Sequence, residues 1–556
     1  MYRTPLFRLV QRSLRLAHHS LHSERSVAEI ADLARLPKPA VSGAGRLLEP
    51  GAKSLSRRRF VALSSTAATA LAVDGCLPRR VASSVARQRP VVIVGAGIAG
   101  LTAGLRLRQA GMPVSIHEAQ NRVGGRMYSL RDGMADGQVI ELGGELIDTD
   151  HSAIRRLAAE LGIPLDDLSQ DDPSLTSDVW YFDGVRRSDG EVMEAFRPLA
   201  LRIDTARATF PEDEITHDAP GGTGALDRQT LAGWLDEADI RGWLRKLIDV
   251  AYTTEYGLEP GDQSALNLLT MIGTDPDSFD IFGESDERFH VQGGNDRITT
   301  AVADRLDDAI HPGHVLEAVT RRADGTYRCT FRRGASTLDV DADQVILALP
   351  FTMLRQLRLD VELPAVKRRA IDELGYGTNA KLMVGFSERV WRTRHGANGS
   401  SLTDLPYQLT WETSRLQGGA SGVLTNFTGG RHGMELGSGT PEAQAALMVG
   451  QLEQIFPGAS AAHSGQRAVR FHWPTFPWTQ GSYASYRPGQ WTELRGAEGE
   501  SVDRLHFAGE HCSLPAQGFM EGGCETGEAA ARAVLAAAGM RSASRRDALR
   551  TLVGAA

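Results

Sequence analysis

Gly95-Ala96-Gly97-Ile98-Ala99-Gly100 is a glycine spacing that suits a phosphate. Gly95 permits a tight turn, Gly97 lets a pyrophosphate approach the backbone, and Gly100 lets a helix pack closely, so a helix opening at Ile98 and Ala99 turns its N-terminus toward the phosphates. Glu118, eighteen residues after Gly100, is an acid placed to accept hydrogen bonds from a ribose. Far along the chain, Lys381 alternates into the mostly apolar run Thr378–Val384, where a charge is costly unless it finds a partner. Cys76, Cys329, Cys512 and Cys524 are too scattered for a disulfide framework, and none stands in zinc-ligand spacing with histidine, so no metal is expected.

These residues need elements to hold them. Pro90–Val94 is a continuous apolar run of the kind found in buried parallel strands. A helix through Leu107 and a second strand, Pro113–His117, follow it and end on Glu118. Strand, glycine turn, helix, strand and acid in that order predict an α/β dinucleotide-binding domain. The chain has 556 residues, 42% hydrophobic and 23% charged, which implies at least two globular domains and excludes a disordered or collagen-like chain. No stretch offers about 18 uninterrupted apolar residues, so no transmembrane helix is expected. The total charge of −8 hides an asymmetry: residues 1–90 carry a net +11, leaving −19 on the remainder. An acidic body is a poor binder of nucleic acid and tends to attract cationic small molecules.

Ala119-Gln120-Asn121-Arg122-Val123-Gly124-Gly125-Arg126 resembles the extension with which flavoproteins of the two-dinucleotide-binding-domain type wrap the FAD pyrophosphate. Val139–Glu145 adds a strand and turn, and Leu505–Glu510 and Gly518–Gly523 precede an alanine-rich helix. Together these segments resemble the flavin-containing amine oxidases, the monoamine and polyamine oxidase superfamily, over most of Pro90–Gly539. The resemblance implies a Rossmann-like FAD-binding domain (90–150, 286–362 and 491–540) interleaved with an α+β substrate domain (151–285 and 363–490). It implies FAD contacts at Gly95, Gly97, Ile98, Ala99, Gly100, Glu118, Ala119, Gly125, Arg126, Gly143, Gly144, Glu145, Val315, Gly509, Glu510, Phe519 and Met520. Lys381 resembles the lysine that holds a water at flavin N5, and Tyr483 with Phe519 would form an aromatic slot for the amine. Ser482 stands where monoamine oxidases carry the cysteine bonded to flavin, so the FAD is expected to be non-covalent.

The activity implied is hydride transfer from the α-carbon of a primary or secondary amine to FAD, imine hydrolysis, and reoxidation by O2 to give H2O2. An L-amino-acid oxidase, a flavin dehydrogenase or desaturase, and a non-catalytic flavin-binding protein are the alternatives; a homodimer is left open. L-Amino-acid oxidases of the superfamily commonly place an arginine after the third FAD strand, where this chain has Gly143-Gly144-Glu145-Leu146, and an acid there favours substrates that carry only positive charge. Finally, Ser56-Arg57-Arg58-Arg59-Phe60-Val61, followed by a mild apolar stretch to Val73, resembles a twin-arginine export signal. Residues 1–89 are therefore expected to be an export leader and linker that sends the protein to the periplasm or beyond. Val73-Asp74-Gly75-Cys76 resembles a lipoprotein cleavage box, with Asp74 atypical; residues 541–556 read as a tail.

Overall fold

The computed structural model describes residues 89–275 and 278–540. Arg57, Arg58 and Cys76, and with them the export signal, lie outside the described residues, as does the tail. Val91–Val94 is a strand buried at every position, as expected where both faces of a parallel sheet are covered. It lies at the centre of five strands in the order Leu505–Phe507, Val345–Leu347, Val91–Val94, Val114–His117, Ile310–His311, every pair parallel. Parallel register places all the strands' C-terminal ends along one edge. The segments that follow three of them, Gly95–Gly100, Glu118 and Gly509–Glu510, are thereby gathered there from positions over 400 residues apart, and such an edge is where open α/β sheets bind ligands.

Two helices cover this sheet at the glycine turn, Ile98–Gln109 and Met520–Ala537. They approach closely because Gly523 and Gly527, one turn apart, offer no side chain between them: a Cβ on Gly523 would lie 2.7 Å from Ile98 Cγ2, and one on Gly527 2.3 Å from the Ala99 carbonyl oxygen. The apolar stripe Ala153, Ile154, Leu157 and Ala158 is the buried face of helix Ser152–Leu161.

A second, seven-stranded sheet runs Ala468–His472, Ala380–Phe386, Gly422–Thr428, Leu409–Glu412, Ser401–Thr403, Val179–Phe182, Val185–Arg187. The lysine-bearing strand begins at Ala380 and is buried at all seven positions, since it is central and both of its faces are covered. Ala380, Leu382, Val384 and Phe386 pack with Trp391, Met448, Leu452 and Phe456. Met383, on the opposite face, packs with Ile140, Leu142 and Val423. By alternation Lys381 shares that second face and looks toward the segment running from Ile140 to Glu145. Among the described residues, no helix is long and apolar enough to cross a membrane.

Candidate active site

Gly97 is the N-cap of helix Ile98–Gln109; its backbone is extended, no side chain caps it, and no acid stands in the first turn. The amide end of the helix dipole is thus left for an outside anion. Gly97 pairs with Gly124 through a backbone bridge, and a Cβ on Gly97 would meet only the Gly125 Cα, 3.9 Å away. The protein itself leaves that space open. Glu118 is buried, and its two carboxylate oxygens accept one backbone N–H each, from Ala96 at 2.7 Å and Gln120 at 2.8 Å. Burial pushes its pKa up against these two donors. The anchored carboxylate keeps a lone pair on each oxygen for a ribose hydroxyl. Ala119 follows it, and the His314 amide donates to the Glu118 carbonyl at 2.9 Å, which sets Val315 beside the same strand end.

Arg126 was expected to wrap a pyrophosphate. In the structure its Nη1 donates to Glu510 at 2.7 Å and to the Ser482 carbonyl at 2.8 Å. Glu510 also accepts from the Gly518 amide at 2.9 Å and the Ala484 amide at 3.3 Å. The Arg126–Glu510 pair therefore fastens the extension, the Tyr483 segment and the turn before the last helix to one another. Gly509, with φ of 146°, makes the turn into Glu510. Gly143 and Gly144, which the resemblance places at the flavin, are also required by the protein's own packing. A Cβ on Gly143 would fall 1.8 Å from the Arg126 carbonyl oxygen, and one on Gly144 would fall 2.8 Å from Met520 Cγ. The protein's own backbone and Met520 occupy that space.

Lys381 finds its partner in Glu145. Nζ donates to Glu145 Oε2 at 2.7 Å and to the Gly143 carbonyl at 3.0 Å, with both side chains buried. Phe427 and Phe471 are its cross-strand neighbours, and the Trp411 ring lies 5.2 Å from Nζ. Burial alone would raise the Glu145 pKa, yet the Lys381 ammonium and the Thr413 hydroxyl hold it below its ordinary value. Of the three ammonium N–H groups, two are committed and one is left to hold a water or a ligand. The pairing also corrects the expectation drawn from Glu145, which is a compensated charge and does not by itself repel a carboxylate.

Tyr483 and Phe519 come close in space but answer to different neighbours. A Cβ on Gly518 would touch the Tyr483 ring at 3.5 Å, so that ring lies one residue away from Phe519. The Phe519 ring packs edge-on against His151, centroids 5.0 Å apart. The Tyr483 hydroxyl donates to the Glu255 carbonyl and more weakly, at 3.4 Å, to that of Thr254. These carbonyls belong to the last turn of helix Gly242–Tyr256, where they have no intrahelical donor. Asn379 Nδ2 takes the Thr254 carbonyl at 2.6 Å and the Ser482 hydroxyl donates to Asn379 Oδ1 at 2.7 Å, so the helix end, the lysine strand and the Tyr483 segment form one polar junction.

With this geometry in place, the chain can be set beside known proteins. The model of a protein family described as flavin-containing amine oxidoreductase matches residues 98–535. The chain belongs to that family. It is 26% identical over 465 residues to an L-amino acid dehydrogenase of Synechocystis sp., covering 80% of this chain and 94% of that one. It is 25% identical over 476 residues to a flavin-containing amine oxidase of Danio rerio, covering 82% and 87%. Among solved structures, cyclohexylamine oxidase from Brevibacterium oxydans superposes with a TM-score of 0.69 at 22% identity, over 80% of this chain and 98% of that one. The α/β architecture is thus that of the two-domain FAD-binding amine oxidases, and the chain is a flavin-dependent oxidoreductase acting on amines.

A flavin amine oxidoreductase needs a dinucleotide cradle, and the residues present fit one. Gly97 faces Gly125 across a space that a Cβ would fill, an uncapped helix N-terminus points into it, and the oriented Glu118 carboxylate lies at the adjoining strand end. Sequence reasoning missed three contributors. Glu521, in the first turn of the last helix, accepts the Ala153 and Ile154 amides at 2.8 Å each. It caps helix Ser152–Leu161, whose own N-cap, His151, makes no side-chain hydrogen bond to the helix. Glu521→Ala should therefore lower unfolding stability by about 1–2 kcal/mol, read as a shift in denaturation midpoint without a change of slope.

The other two contributors are Glu255 and Glu287. Burial, with repulsion from Glu287 and Asp148, pushes the Glu255 carboxyl up to about 8. Burial likewise pushes Glu287 up to about 7, against the lowering influence of Arg415. A signal for Glu255 existed in the sequence: it is an acid in the last turn of a helix, the end at which the dipole disfavours negative charge.

Proposed function

We propose that this chain is an oxidase of primary or secondary amines that uses non-covalently bound FAD. Non-covalent binding is supported by Ser482, whose hydroxyl is engaged with Asn379, and by Cys512, whose half-buried thiol donates to the Glu498 carbonyl at 3.3 Å. Bound FAD supplies the two-electron acceptor that takes hydride from the substrate carbon and returns the electrons to oxygen as hydrogen peroxide. The chain's part is to bind and orient. Gly97, Gly125 and Glu118 would hold the dinucleotide, Lys381 would offer the N–H left over from Glu145 and the Gly143 carbonyl to a water or ligand, and Tyr483 would give the amine an apolar face.

The substrate class rests on one observation: the Tyr483 hydroxyl donates to the backbone carbonyl of Glu255, so a carboxyl-bearing residue borders the aromatic ring. Such a neighbour favours an amine that enters as a cation and can lose its proton at the site. A second reading, an oxidase of α-amino acids, is favoured by Arg415. Its Nε donates to the Glu412 carbonyl at 3.2 Å, and it borders a small cavity with Glu145, His290 and Thr413, where its planar fork could receive a carboxylate.

Two measurements test the reading. Acid denaturation should release intact FAD and leave the polypeptide colourless; flavin that stays with the denatured chain contradicts non-covalent binding. Anaerobic bleaching of the flavin by matched pairs, an amine and its α-carboxylated parent, should be faster with the amine. Consistently faster bleaching by the amino acids would transfer the assignment to the second reading.

A further inference from the structure

His117 ends the strand Val114–His117, one residue before the acid assigned to the ribose, and its partner on the neighbouring strand is His311. Its buried ring lies nearly parallel to that of Phe331, centroids 4.2 Å apart, and the buried ring of His314 stacks on it at 5.1 Å. The Nδ1 atoms of His117 and His314 are 2.8 Å apart. Nitrogens at that distance need one proton between them, since two lone pairs or two N–H groups would repel. Two neutral rings meet this need, because Nε2 of His117 lies 3.0 Å from Ser115 Oγ, a hydroxyl that donates or accepts as the tautomer requires. The main chain ties the cluster to Glu118, whose amide donates to the His311 carbonyl at 3.0 Å and whose carbonyl accepts from the His314 amide at 2.9 Å. The Gly313 amide donates to the Gln120 carbonyl at 3.2 Å, and the Gln120 amide is one of the two that orient the Glu118 carboxylate.

We propose that His117 and His314 are positioning residues for the dinucleotide, holding Glu118 in place for the ribose only while the pair is uncharged, so that acid loosens the cofactor at its nucleotide end. The inference rests on the FAD reading above and adds to it a control on cofactor retention. The surroundings oppose an added charge. His311 stands against both rings, with centroids 5.0 Å from His117 and 5.7 Å from His314, and Arg333 faces His314. Among the described residues, no carboxylate acts on either ring; that of Glu118 is turned to the Ala96 and Gln120 amides. Burial, helped by His311 and His314, pushes His117 down to about 3, and burial, His311 and Arg333 lower His314. A first added proton thus creates an imidazolium with no counter-charge, and a second would set two N–H groups against each other. Moving the rings apart into water relieves both, and Glu118 moves with the turn to which it is bonded. Imidazoles lowered by folding contribute stability above their ordinary value of about 6.5, and that contribution is lost as pH falls from there toward the folded value.

The test follows the flavin fluorescence that appears when diluted holoenzyme releases FAD, read between pH 7.5 and pH 5.5. In the wild type the apparent dissociation constant should rise roughly tenfold from pH 6.5 to pH 5.5, the effect of one proton taken up. In the double variant His117→Phe with His314→Phe, whose rings can stack on Phe331 but cannot titrate, the rise should stay below about twofold. A wild-type constant that does not change with pH, or the same rise in the variant, would overturn the proposal, and the second result would assign acid release to Glu118 itself. Hydrogen exchange on the wild-type full chain decides the matter even where the variant fails to fold. Corrected for intrinsic rates, the amides of 114–120 and 310–315 should gain rate relative to those of strand Ala380–Phe386 as pH falls through 6.5; an unchanged ratio refutes the opening. A chain that carries no FAD at any pH would overturn the FAD reading and this proposal together, a result distinct from FAD that is bound but insensitive to pH.

Discussion

Gly97→Val should give a folded protein that carries almost no flavin, whereas Gly100→Val should give little folded protein at all. The two glycines are three residues apart in one turn, and the different duties that the motif gives them have different structural costs. At Gly97 the backbone is extended, a conformation open to any residue, and the nearest protein atom to an added Cβ is 3.9 Å away. Valine there costs about 1 kcal/mol as a poorer helix cap and projects into the space in front of the amide end of the helix. At Gly100 an added Cβ would lie 2.0 Å from the Gly95 carbonyl oxygen. Backbone cannot yield by that much without moving the strand and helix it joins, so a cost above about 3 kcal/mol is expected. The ratio of visible to ultraviolet absorbance reports flavin content, and a thermal melt by circular dichroism reports folding. Flavin in Gly97→Val below about a tenth of the wild-type content, with a melt within a few degrees, is the expected pair of results. Full flavin content in that variant would mean that the cradle between Gly97 and Gly125 is not where the pyrophosphate lies.

What could be read from the sequence was local. The apolar run Val91–Val94, the glycine turn and the helix after it lie within some twenty residues, and their hydrophobic pattern and turn chemistry act at that range. The seven-stranded sheet could not be read in this way: Val179–Phe182 pairs with Ser401–Thr403, and nothing in either stretch names the other. The same limit applied to charges. Lys381 could be recognised as needing a partner, but its partner stands 236 residues earlier, so Glu145 was assigned a sign without its compensation. Glu255 went unnoticed because an acid near a helix end reads as a solvated residue. Only the fold shows that this helix ends against Asn379 and Tyr483.

The Lys381–Glu145 pair carries the second large prediction. Taken by itself, Lys381→Met is close to volume-conserving, and the sequence suggests a change confined to turnover. The structure adds a larger consequence, because the substitution strands Glu145 in a buried site. Removing one partner of such a pair typically costs about 3–5 kcal/mol, which should appear as a much lower denaturation midpoint. The dependence on pH has a definite sign. In the wild type the lowered carboxyl pKa of Glu145 contributes stability above the unfolded value, and this is lost as pH falls through the folded one. In Lys381→Met burial would raise the same carboxyl, so the variant is least stable at neutral pH and recovers as Glu145 protonates. The gap between the two proteins should therefore narrow toward pH 4. Adding Glu145→Gln removes the stranded charge and should restore most of the stability lost in the single variant at pH 7. If Lys381 acts at the reacting flavin, the double variant will be stable and will still be slow in flavin reduction or reoxidation measured by stopped flow. Recovery of both stability and rate in the double variant would assign the pair to holding Gly143 and the Ala380–Phe386 strand together, with no part in turnover.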